Sequence, residues 1–132
     1  MDIAIDTSAI IAVISNEPER ERIIELTSGA DLIAPGSVHW EIGNAFSAML
    51  RRGRITLQQS NKAVELYEQI PIRYVDIELI QSLQIASALG IYAYDAYIIR
   101  CAQKYNSPLL TLDNYLGQAA KQMEVDVLEI VK

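Results

Sequence analysis

Short apolar runs alternate with longer amphipathic stretches along this chain. Ile3-Ala4-Ile5, Leu32-Ile33-Ala34 and Leu109-Leu110-Thr111-Leu112 have the length of buried strands, and each ends at a polar or turn-forming residue: Asp6, Pro35-Gly36 and Asp113. Ile72-Arg73-Tyr74-Val75 alternates and predicts a peripheral strand, and Val127-Leu128-Glu129-Ile130 predicts the last one. Between them the spacing predicts helices. One runs from Ala9 to Ser15, and one opens at Pro18-Glu19-Arg20-Glu21 with Ile23, Ile24 and Leu26 on its apolar face. Ser37 is a candidate cap for the next, where Val38, Ile42, Ala45, Met49 and Leu50 recur at helical spacing, and Gly53 follows its basic last turn of Arg51 and Arg52. A helix from Thr56 to Gln69 turns Ala63, Val64, Leu66 and Tyr67 inward and stops at Pro71. Another spans Leu79 to Leu89 and ends at Gly90, Tyr94-Asp95 opens one that reaches about Tyr105, and Asp113 caps the last. Strands and helices in alternation imply crossover connections. The expected architecture is α/β, a mainly parallel sheet with helices on both faces and helix in excess.

Composition narrows the function classes. The chain has 132 residues, which fits a single domain over 1–132, and its 51% apolar content excludes disorder. One cysteine, Cys101, and one histidine, His39, rule out an internal disulfide and a Cys/His zinc site, and point to a reducing compartment. The amino terminus carries no basic segment, and no apolar run approaches the roughly 18 residues of a membrane span. The expected setting is cytoplasmic, away from membrane. With 17 acidic against 11 basic residues and a net charge of −6, a simple nucleic-acid-coating protein is disfavoured.

The placement of carboxylates says more than their number. Asp6 and Asp113 directly follow strand runs, and with Asp95 they sit where helices open. Aspartate is a preferred N-cap, so each alone is accounted for by its helix. Together they suggest more, because loops after the carboxyl ends of neighbouring parallel strands share one crevice, where ligands bind. Glu41 and Asn44 project from one side of their helix near its start. Periodicity alone does not place Glu41 or Asp95 in the same crevice. Carboxylates gathered in one cleft repel one another and are relieved by a divalent cation, and an all-oxygen set suits Mg²⁺ or Mn²⁺. Such a site polarises a phosphoryl oxygen and activates water for in-line attack.

Asp6-Thr7-Ser8, Glu41-Ile42-Gly43-Asn44, Tyr94-Asp95-Ala96-Tyr97 and Leu110-Thr111-Leu112-Asp113, in this order, resemble the motifs of the PIN-domain ribonucleases, most closely the VapC-type toxins of type II toxin–antitoxin systems. The likeness runs from about Ile3 to Ile130. It implies a three-layer α/β/α sandwich and a metal-binding quartet of Asp6, Glu41, Asp95 and Asp113 holding Mg²⁺ or Mn²⁺. It gives Thr111, Ser8 and Asn44 supporting or water-positioning roles. It further implies hydrolysis of RNA phosphodiesters, a homodimer, and a small antitoxin that occupies the acidic groove. Setting the quartet aside leaves 13 acidic residues against 11 basic ones, so the acidity is partly the site itself.

Other residues have competing explanations. His39 points about 200° away from Glu41 on a helix and is expected in a structural or interface position. Trp40 is expected in packing or partner contact, Tyr92, Tyr94 and Tyr97 in packing around the Asp95 helix, and Cys101 in the core. Arg51, Arg52 and Arg54 suit either a solvated helix end or phosphate contact. A PIN-type nuclease of RNA maturation or decay and a non-catalytic binding module are the alternatives to a toxin. A phosphatase of the haloacid-dehalogenase type would need a second aspartate two residues after Asp6, where Ser8 stands.

Overall fold

A computed structural model describes residues 1–130. Five parallel strands form one sheet in the order β3-β2-β1-β4-β5, with β1 (Asp2–Ile5), β2 (Asp31–Pro35), β3 (Ile72–Val75), β4 (Leu109–Leu110) and β5 (Val127–Leu128). The helices between them are α1 (Thr7–Ile14), α2 (Arg20–Thr27), α3 (Ser37–Arg51), α4 (Leu57–Glu68), α5 (Leu79–Leu89), α6 (Ala93–Lys104) and α7 (Asn114–Gln122). The α/β/α sandwich expected from the alternation is therefore present, with helix in excess.

The central strand is enclosed by a neighbour on each side. In β1, Ile3 and Ala4 are fully buried, and the strand pairs with β2 through Ala4 and Ile33 and with β4 through Ala4 and Leu109. The alternating β3 lies at the sheet edge, with Arg73 and Tyr74 exposed. Helix α1 packs against α2, α3 and α4, while α6 crosses β1 and β2 with α5 against it. These are the two helical layers that right-handed crossovers require when the chain moves from β1 out to β3 and then back to β4. Gly90 takes the left-handed conformation at φ 66° and lets the chain reverse between α5 and α6. Cys101 lies in the core, as expected of a small apolar side chain.

Several boundaries and faces differ from the sequence reading. β4 ends at Leu110 rather than Leu112, because the next backbone donors are taken by site hydroxyls: Leu112 N–H by Ser8 Oγ and Asp113 N–H by Thr111 Oγ1. β5 is likewise shorter, ending at Leu128. Ser37 does not cap α3. The helix starts one residue earlier than a Ser37 cap requires, with Gly36 at the N-cap, which leaves the Ser37 hydroxyl buried without a hydrogen-bond partner. Asp95 does not cap α6 either; it sits in the first turn behind Tyr92. Ile24 and Leu66 face solvent, and Phe46 takes the buried place on α3 that periodicity had given to Met49. Among the described residues no helix is long and apolar enough to cross a membrane.

Candidate functional site

All five strands run parallel, so their carboxyl ends share one edge of the sheet. Asp6 leaves β1 at this edge and caps α1 by accepting from Ala9 N–H at 3.1 Å. Its other partners are hydroxyls. Ser8 Oγ donates to Asp6 Oδ1 at 2.8 Å and Thr111 Oγ1 donates to Oδ2 at 2.6 Å. The same hydroxyls accept from the backbone, Ser8 from Leu112 N–H at 2.9 Å and Thr111 from Asp113 N–H at 3.0 Å. The two oxygens stand 3.3 Å apart, and each hydroxyl hydrogen is already directed at Asp6. Asp113 in turn caps α7, accepting from Leu116 N–H at 3.1 Å. A continuous lattice thus ties the end of β1 to the end of β4 and fixes two carboxylates.

Glu41 and Asp95 come from the helical layers. Glu41 lies one turn into α3, part-buried, beside the hydroxyls of Thr7 and Ser37. Those hydroxyls are near enough to favour its charged form, yet both are buried and neither completes a hydrogen bond. Asp95 approaches from the first turn of α6 and takes part in none of the bonds around Asp6.

The four acids form an electrostatic ring. Burial is the main force raising the proton affinity of Asp6, partly offset by the bonds from Thr111, Ser8 and Ala9, and the Asp113 charge adds to it. Burial pushes Glu41 up to about 7, and the charges of Asp6 and Asp95 push the same way. Asp95 is raised by burial and then by Asp113. Hence Glu41 feels Asp6, Asp6 feels Asp113, Asp113 acts on Asp95, and Asp95 acts on Glu41.

Among the described residues, no three Asp, Glu, His or Cys side chains are gathered tightly enough to grip one ion by themselves. The donor set nevertheless fits Mg²⁺ or Mn²⁺, which bind through one or two carboxylates and retain several waters. The orphaned Thr7 and Ser37 hydroxyls are the partners such waters would need. Asp6 and Asp113, with Glu41 and Asp95 across the cleft, would hold the cation.

Six of the seven residues expected at the site are brought together: Asp6, Ser8, Glu41, Asp95, Thr111 and Asp113. Asn44 is not joined to them. It is exposed further along α3, and none of the site's hydrogen bonds reaches it. Thr7 and Ser37 were missed as neighbours of Glu41. Only the position of Thr7 beside Asp6 hinted at it.

His39 is structural, as expected, with Nδ1 2.9 Å from Tyr67 Oη, and Tyr67 also bonds Tyr74 through their hydroxyls. Trp40 is not packed: it is 70% exposed and meets the His39 ring edge-on at 4.7 Å. Tyr94 and Tyr97 meet edge-on at 6.0 Å, but of the three expected to pack, Tyr94 is half exposed and Tyr92, which precedes the helix, is 85% exposed. Arg51, Arg52 and Arg54 are exposed at the far end of α3.

The PIN domain family model matches residues 3–122. Among curated proteins, no significant match is found. The fold is shared with solved structures. PAE2754 from Pyrobaculum aerophilum is 21% identical with a TM-score of 0.70, over 90% of this chain and 87% of that one. VapBC-1 from nontypeable Haemophilus influenzae is 24% identical with a TM-score of 0.66, over 98% of each chain. VapC20 of Mycobacterium tuberculosis, described as a sarcin–ricin loop cleaving toxin, is 15% identical with a TM-score of 0.62, over 89% of this chain and 94% of that one.

Proposed function

The chain belongs to the PIN domain family, and on that premise we propose that it is a divalent-metal-dependent endoribonuclease, one domain over its 132 residues and the toxin of a toxin–antitoxin pair. The observation that carries this reading is the ring of four mutually repelling carboxylates at the carboxyl edge of the sheet. Such a ring is costly without a cation, and structural caps alone account for only Asp6 and Asp113. The likeness in fold to VapC20 and VapBC-1 supports RNA as substrate and an antitoxin as partner, and the family resemblance implies a homodimer.

A bound Mg²⁺ or Mn²⁺ would supply charge to the phosphoryl oxygens and favour ionisation of water. The chain's own residues do the rest. Thr111, Ser8 and the Ala9 amide hold Asp6 in one orientation, in which it would help hold the cation without reorganising. Thr111 also fixes Asp113 through its backbone. Glu41, part-buried and facing the charges of Asp6 and Asp95, is placed to help hold the cation and to orient the attacking water.

Purified protein should cut RNA in the presence of Mn²⁺ or Mg²⁺ and not in excess chelator. Asp6→Asn should abolish the cutting; a variant as active as the wild type would sink the proposal. Expression in a host lacking any antitoxin separates a toxin, which arrests growth, from a nuclease of RNA maturation, which does not.

A further inference from the structure

A cavity of about 350 Å³ opens directly beside Thr111 and Asp113 and continues away from the acidic ring between α7, β5 and the start of α2. The mechanism above makes no use of it. One wall is a stripe on α7, where Asn114, Gln118 and Lys121 recur at helical spacing and so share a face. The buried Glu19 and the exposed Glu129 also line it. Lys121 Nζ is paired with Glu129 Oε1 at 3.1 Å, which closes the rim between α7 and the chain after β5.

The charges of this lining select what it accepts. Lys121 and Glu129 neutralise each other and the Asp113 carboxylate stands at the mouth, so the lining offers a phosphate no unpaired cation among the described residues. A neutral group carrying both N–H or O–H donors and acceptors suits the side-chain amides of Asn114 and Gln118, which offer both. The volume falls within the roughly 300–1,000 Å³ of small-ligand sites. Resting on the nuclease reading of the adjoining acids, we propose that this cavity receives the base and ribose of one nucleotide next to the phosphodiester that is cut. That nucleotide has to be unpaired, because a base edge enters a pocket only when it is splayed from its helix. The cavity then sets where the RNA is cut, while the acids set how fast.

The test maps cleavage ends of a random RNA pool cut with Mn²⁺ by wild type, Gln118→Ala and Asn114→Ala. Both side chains are exposed, so both variants keep the fold. The wild type is expected to favour one base at a fixed position beside the cut, and the variants to lose at least about fivefold of that preference. Unchanged preference in both variants overturns the proposal. If the wild type cuts no RNA with either metal, the nuclease reading fails by itself. The cavity is then judged by titrating the metal-free chain with nucleosides: a shift of the Gln118 side-chain amide resonances supports it, and no shift with any of the four overturns it.

Discussion

Asp6 and Glu41 belong to one cleft, yet Asp6 accepts three hydrogen bonds while Glu41 sits beside two buried hydroxyls that complete none. The β1–β4 side is a closed lattice in which each hydroxyl donates once to Asp6 and accepts once from the backbone. The α3–α6 side leaves charge and polarity uncompensated. The first side supplies a rigid anchor. The second supplies unmet demand for positive charge and ordered water, which is what the proposed cation would satisfy.

The contrast can be broken most strongly through activity. Asp6→Asn removes the anchor's charge, and Mn²⁺-dependent cleavage should fall by about 10³-fold or more, since metal-assisted charge stabilisation is worth several kcal/mol. Single-turnover assays at saturating metal check this. Next in size, Thr111→Val strips a donor from buried Asp6 and an acceptor from Asp113 N–H. Urea unfolding should show a loss of about 1–3 kcal/mol.

The other side responds with opposite signs. Glu41 keeps its proton up to about 7, against 4.5 ordinarily, so between those values the folded chain holds a proton that the unfolded chain has lost. Metal-free stability contributed by this group is present at low pH and falls as pH rises through that window. Thermal melts should place the wild-type Tm higher, relative to Glu41→Gln, at pH 5 than at pH 7.5, and parallel curves would refute the assignment. Smallest is Ser37→Ala. Deleting an orphaned hydroxyl at the first position of α3 should leave stability unchanged or raise it by up to about 1 kcal/mol. A loss comparable to that of Thr111→Val would show that the two sides are built alike.

What could be read in the sequence follows the range of each interaction. Asp6 and Asp113 were legible because a capping aspartate acts within three residues and strands end visibly in apolar runs. Their common crevice followed from parallel topology. Glu41 and Asp95 stayed unplaced by periodicity, since their meeting depends on how two helical layers settle on the sheet, and the family resemblance alone implied it. Ser37 was misread because capping propensity does not distinguish an N-cap from the first helical residue when a glycine precedes it. Ile24 and Leu66 show the same limit for faces: apolar residues at helical spacing do not all find a partner. The burial of Glu19, within a charged run that reads as surface, had no local signal at all.

The bond between Thr111 and Asp6 spans 105 positions of the chain. The strand that carries the first acid pairs on one side with a strand made early and on the other with one made almost last. A nascent chain on the ribosome has therefore synthesised Asp6 and Glu41 well before Leu109–Leu110 arrive to complete the sheet around β1. Contacts of such high sequence separation make folding slow and late. Until β4 is made, Asp6 lacks its bond from Thr111, so the anchor of the cleft is completed only late in synthesis.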